Sequence, residues 1–171
     1  MALRPGRTVR TIKRPWTRVS QRKPKKSYVV GVPYPRIHVF EMGNKTKQFE
    51  VTLHLKVEGS VQIRENALEA ARIVANKYIE KVLGKEGFFM KVLKYPHQIL
   101  REHSLATGAG ADRFSMGMRK AFGRPKGRAV IIHSGESLIV LKVDKANIET
   151  AKEALRRAST KLPTPCKIVI S

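Results

Sequence analysis

Cysteine is nearly absent from the 171 residues: Cys166 stands alone. One thiol supports neither an intramolecular disulfide framework nor a cysteine-based zinc site. Acids are scarce. Thirteen Asp and Glu face thirty-five Lys and Arg, a formal charge of +22 with a pI near 10.7. No uncharged run approaches the roughly 18 residues of a membrane span. Met1 to Arg7 lead into no apolar stretch, which argues against a secretory signal. A reducing, cytoplasmic compartment is the expectation.

Motifs for chemistry are missing too. Gly108 and Gly110 continue as GAGADR, without the third glycine of a dinucleotide fingerprint. Gly117 and Gly123 precede no Lys-Ser/Thr, so there is no phosphate-cradling P-loop. Gly135-Glu136-Ser137 lacks the second glycine of a nucleophile elbow and reads as a turn. His38, His54, His97, His103 and His133 form no HxH or HExxH pair. No two carboxylates are spaced for acid–base work. The expectation is a protein that is not an enzyme and takes no metal and no cofactor.

What is present is a globular composition under a large cationic excess. Hydrophobic residues make up 42%, and the length suits one domain with tails. A net charge of +22 opposes compaction unless a polyanion neutralises it. Nucleic acid or an anionic surface is therefore the leading partner class.

The charge is uneven. The first forty residues hold eleven cations and no acid: Arg4, Arg7, Arg10, Lys13, Arg14, Arg18, Arg22, Lys23, Lys25, Lys26 and Arg36. Pro5, Pro15, Pro24, Pro33 and Pro35 break any helical period there. Residues 1–35 therefore read as an extended basic arm that orders on a polyanion. A transit peptide would need an amphipathic helix, which the prolines oppose. A merely solvated tail fits less well, because Trp16, Tyr28 and Tyr34 interleave with the cations. Such aromatics stack on bases; Trp16 could equally fold back on the domain.

Residues 36–171 read as one α+β domain. Arg36–Met42 and Phe49–Ile63 alternate with period two, with Val51, Leu53, Leu55 and Val57 on one face and Thr52, His54 and Lys56 on the other. Asn66–Leu83 repeats apolar residues at helical spacing, with Asn66 and Glu69 as a capping box and Gly84 as the stop. Phe88–Tyr95 and His97–Glu102 are expected as strands, and Ala129–His133 with Leu138–Val143 as a hairpin. A second helix is expected near Lys145–Thr160, burying Ile148, Ala151, Leu155 and Ala158. Lys167–Ile170 closes the chain as a strand. This order suggests a two-layer sandwich: an antiparallel or mixed sheet with both helices on one face.

A second basic element runs from Arg101 to Arg128. Arg101, Arg113, Arg119, Lys120, Arg124, Lys126 and Arg128 face only Glu102 and Asp112. Five glycines there, at 108, 110, 117, 123 and 127, let a backbone approach phosphates closely. Arginine supplies planar forks for phosphate and faces that stack on bases. A flexible solvated loop is the plain alternative, better suited to Ser104–Ala111 than to Met118–Arg128. His103 lies beside the loop, and nothing in its spacing singles it out.

At these residues the chain resembles the universal large-subunit ribosomal protein L-sixteen family, in its archaeal and eukaryotic L-ten-e branch. Gly31–Phe40 (GVPYPRIHVF), Ala67–Tyr78, Gly108–Arg113 (GAGADR), Gly117–Gly127 and Ala154–Ala158 followed by Lys167-Ile168 carry the likeness in the family's order. The resemblance implies an α+β sandwich bound to large-subunit rRNA between the central protuberance and the stalk base, supporting translation. It also implies that the loop from about Arg101 to Arg113 points toward tRNA and the peptidyl-transferase region. Arg101, His103, Gly108, Gly110 and Arg113 would then be tRNA-proximal. The arm cations with Trp16 and Tyr28, and Arg119, Lys120, Arg124, Lys126 and Arg128, would hold rRNA. Neighbouring ribosomal proteins are expected as partners; a membrane and an independent homo-oligomer are not. Two departures stand out: Arg64 occupies a place where many relatives have a small helix-capping residue, and the chain ends at Ser171 without the longer eukaryotic tail, which favours an archaeal source. A free-standing binding module or an RNA-modifying enzyme are the rival readings; the latter needs a positioned catalytic group.

Overall fold

The computed structural model describes residues 4–12 and 29–171. Eight strands and two helices follow in the order β1 (Glu41–Gly43), β2 (Val51–Val57), β3 (Val61–Arg64), α1 (Glu65–Leu83), β4 (Phe88–Val92), β5 (Gln98–Glu102), β6 (Arg124–Ile132), β7 (Ser137–Val143), α2 (Ile148–Ser159) and β8 (Cys166–Ile170). The α+β class holds. The strands form two sheets rather than one, a five-stranded sheet ordered β1-β4-β7-β2-β8 and a three-stranded sheet ordered β3-β6-β5. Every pairing is antiparallel.

The two sheets share one bent ribbon. β2 pairs with β7 until Lys56 meets Ser137, and the same register resumes from Val61–Ile132 to Arg64–Ala129 in the β3–β6 pair. The bend falls at Glu58–Ser60 on one strand and at residues 133–136 on the other. There the Ser134 hydroxyl donates to Glu58 O at 2.6 Å, and Gly135 N donates to Val57 O at 2.7 Å. The expected hairpin of Ala129–His133 with Leu138–Val143 is therefore wrong. Ser134-Gly135-Glu136 does turn, with Gly135 at φ +84°, but β6 and β7 belong to different sheets and each pairs with the 51–64 segment. A strand–turn–strand pattern does not say which partner each strand takes.

Central strand β7 buries Leu138, Ile139, Val140, Leu141 and Val143, as a strand covered on both faces does. β2 alternates as expected, with Leu53, Leu55 and Val57 in the core. Helix α1 presents Leu68, Ala71, Ala75 and Ile79 inward, and α2 presents Ala151, Ala154, Leu155 and Ala158. Alanines on the facing stripes let the two helices approach each other and the sheet closely. Ile148 is only half-buried, and Ala154 joins the buried stripe. Helix α1 also touches β3 and β6, so it bridges both sheets.

Two further expectations fail for local reasons. Of Arg36–Met42, only the end pairs as strand; Arg36 N is taken by the Glu65 carboxylate at 2.9 Å. The Asn66–Glu69 capping box does not form. Helix α1 begins one residue earlier with Arg64 at the N-cap, and no side chain caps it. Its first-turn acid, Glu65, suits the helix's positive end.

Candidate nucleic-acid interface

β5 pairs along its whole length with residues 124–129 of β6, and the two are joined by a long connection, residues 103–123. The pairing is bulged. Leu100 meets Gly127 but Arg101 meets Pro125, which leaves Lys126 as the extra residue of β6. Pro125 has no N–H to give the ladder, and a bulge re-aims the side chain it carries.

The neck of the loop is built around Arg101 and His103, two residues that the resemblance implies to be tRNA-proximal. Arg101 Nη2 donates to Gly123 O at 2.8 Å, and its guanidinium lies 4.3 Å from the centroid of the Phe122 ring. His103 Nε2 donates to Gly117 O at 2.7 Å. Gly123 has φ +75°, and a Cβ there would lie 2.6 Å from His103 N. Only glycine closes this neck.

Beyond the neck the backbone folds into successive tight turns. Ala111 N bonds Gly108 O, Arg113 N bonds Gly110 O, Arg119 N bonds Met116 O, and Gly123 N bonds Lys120 O. Gly108, Gly110 and Gly117 carry positive φ, and so does Lys120, at +58°. Arg113, Arg119, Lys120, Arg124 and Lys126 are all exposed. Phe114 is 87% exposed, Met118 70% and Phe122 67%. Phe114 and Met118 thus leave apolar surface among the cations, while Phe122 packs one face on Arg101.

The arm is placed at one stretch. Gln62 N donates to Arg10 O at 2.8 Å and its side chain to Val9 O at 3.2 Å, so residues 9 and 10 line the outer edge of β3. Arg4 Nε pairs with Glu102 at 3.0 Å while Nη2 donates to His103 O, and Arg64 Nη1 donates to Arg4 O at 2.8 Å. Arg7 and Arg10 are exposed. Lys13, Arg14, Trp16, Arg18, Arg22, Lys23, Lys25, Lys26 and Tyr28 lie outside the described residues.

Arg128 differs from its neighbours. Its Nε donates to Pro33 O at 2.8 Å and its Nη1 to Tyr95 Oη at 3.2 Å. Beside it Glu65, 5% exposed, accepts from Arg36 N and, at 3.2 Å, from Arg128 N. Nothing in the sequence marks Glu65 apart from other helix acids; its partners lie 29 and 63 residues away.

Of the ten ion pairs among the described residues, only Arg4–Glu102 involves the three-stranded sheet or the loop. Elsewhere Glu41, Glu69, Glu80, Glu136, Asp144, Glu149 and Glu153 pair with lysines or arginines. Lys91 and Lys45 hold the Glu41 carboxyl at about 2, and Arg156 and Arg157 do the same for Glu153. Cys166 is no nucleophile, since burial pushes its thiol up to about 11. Among the described residues no cluster of His, Cys, Asp or Glu could hold a metal ion, and no helix is long and apolar enough to cross a membrane.

A bent two-sheet scaffold carries a glycine-rich loop whose exposed cations pair with no acid among the described residues. The chain belongs to the family described as ribosomal protein L16p/L10e, whose model matches residues 16–169. It is 49% identical over 170 residues to the large ribosomal subunit protein uL16 of Archaeoglobus fulgidus, covering 99% of this chain and 94% of that one. The uL16 of Caldivirga maquilingensis is 48% identical over 175 residues, covering 100% and 96%, and that of Picrophilus torridus 48% over 147, covering 86% and 84%. The chain is thus an archaeal member of a structural, non-enzymatic family.

Proposed function

We propose that this protein is a structural constituent of the large ribosomal subunit that grips rRNA with its arm and its 101–128 segment and holds the loop tip near tRNA. Family membership makes the ribosomal role and the cytoplasmic large subunit its setting. The observation that carries the rRNA contact is the set of exposed loop cations, Arg113, Arg119, Lys120, Arg124 and Lys126, with no acid paired to them among the described residues. Cations left unpaired by protein acquire counterions that phosphates displace. RNA would be read by shape, phosphate and 2′-hydroxyl contacts rather than base sequence. Arg101 and His103 serve this by fixing the neck, so that Gly108, Gly110 and Arg113 stand at the outer turn, facing tRNA.

The test is binding of the whole protein to a large-subunit rRNA fragment across salt concentrations. Replacing Arg119, Lys120 and Arg124 together by alanine should flatten the log–log salt slope by about 2–3, at roughly 0.7–0.9 for each phosphate contact. An unchanged slope would remove the loop from the rRNA interface. Shortening Ser104–Ala111 should leave incorporation into the large subunit intact and impair tRNA placement; normal translation by such ribosomes would refute the tRNA half of the reading.

A further inference from the structure

Between the arm, the start of α1 and the loop lies a cleft of about 760 Å³. That volume falls in the range of small-ligand sites. Its walls divide by chemistry. Leu100, Leu105, Met118 and the Phe122 ring supply an apolar side, while Arg4, Arg64 and Lys126 supply cations.

Three features say what fits there. First, Arg101 caps one face of the Phe122 ring at 4.3 Å, yet Phe122 stays 67% exposed, so aromatic surface is left for another planar group. Second, the bulge at Lys126 takes that lysine out of the ladder, and it lines the cleft rather than an ion pair. Third, the charge is one-sided. Glu65 and Glu102 are the acids in the wall, and Glu65 is occupied by two backbone N–H groups and Glu102 by Arg4.

An apolar aromatic side beside Arg64 and Lys126, which no acid pairs among the described residues, matches a nucleotide: a flat base with an anionic phosphate attached. A hydrophobic side chain from a protein would fill the apolar side and strand the cations. A duplex segment would satisfy the cations and leave the ring exposed. We infer that the cleft receives a single unstacked nucleotide of RNA, its base stacked on Phe122 and its phosphate held by Arg64 and Lys126. This rests on the rRNA-binding reading above and adds to it a defined base-binding site.

The test uses the full chain with a photo-crosslinking phenylalanine analogue, p-benzoylphenylalanine, at position 122, assembled with large-subunit rRNA. Reverse transcription should stop at one nucleotide, and that nucleotide should be unpaired. In parallel, Phe122→Ala and Phe122→Trp are compared by chemical probing of the bound RNA. Phe122→Ala should restore reactivity at the crosslinked nucleotide at least severalfold, and Phe122→Trp should keep it protected. Both variants should retain wild-type circular dichroism, because the ring is mostly exposed. Crosslinks to protein only, stops scattered along a duplex, or equal protection in both variants would overturn the inference. If the wild type binds rRNA with its full salt slope in those cases, the site fails while the rRNA-binding reading stands. Loss of that binding would instead strike the reading beneath it.

Discussion

Glu65 shows how one side chain fixes the course of the chain at Arg36. Its carboxylate is buried and accepts from Arg36 N and Arg128 N, so it ties the incoming chain to β6 at the first turn of α1. Removing it leaves two N–H groups without their acceptor in a site of low water access. Each such group costs about 1–3 kcal/mol. Glu65→Ala is therefore expected to lose about 2–6 kcal/mol, read as a lower urea midpoint, and Glu65→Gln, which keeps one acceptor, to lose less. Equal midpoints for Glu65→Ala and wild type would show that the staple is ornamental. Arg128, read in the sequence as one more RNA contact, belongs to this same joint through Pro33 O and Tyr95. Charge is visible in a sequence; the direction in which a long side chain is drawn by a distant carbonyl is not.

At the scale of elements, the apolar period located most of the fold. The β2 alternation, the α1 stripe and the Gly84 stop each depend on neighbours within a few residues, which a sequence displays. The β6–β7 turn was misread because pairing is set across some eighty residues, by the ribbon to 51–64. The loop was legible as cationic and glycine-rich, but its neck was not, since Gly123 matters only against Glu102 and His103. This gives a ranking. Gly110→Ala meets open space and bears only the left-handed φ cost of about 1–2 kcal/mol. Gly123→Ala bears that cost and also drives a Cβ into backbone, so its melting temperature should fall further, at about 2–4 °C per kcal/mol. Equal shifts for the two would mean that the neck yields freely.

The exposed acids of the other half make a pH prediction with a definite sign. Glu41 and Glu153 are held at about 2 by their lysine and arginine partners, below an ordinary value of 4.5. Between those two values the unfolded chain binds more protons than the folded one. The stabilisation is thus complete above about 4.5 and is lost as pH falls through about 2. A double variant, Glu41→Gln with Glu153→Gln, should melt below wild type at pH 6, and the gap should close toward pH 2. A gap independent of pH would assign the effect to packing.

For the whole molecule the balance lies between a few short attractions and many long repulsions. The ten ion pairs are contacts of 2.5–3.9 Å, mostly exposed, and such pairs are worth about 0–1 kcal/mol each. The repulsion comes from a net charge of +22 spread over the chain, with exposed loop cations at Arg113, Arg119 and Lys120 that pair with no acid among the described residues. Screening acts on the two unequally. At 0.1 M salt the Debye length is about 10 Å, so interactions across the molecule fade while contacts persist. Added salt should therefore remove more repulsion than attraction. The melting temperature of the isolated protein is expected to rise between about 10 mM and 0.2 M salt on this Debye argument. A polyanion should raise it further at low salt, because it binds the folded surface. A melting temperature that falls steadily from the lowest salt would show that the contacts outweigh the field, and that this domain does not depend on RNA to relieve its charge.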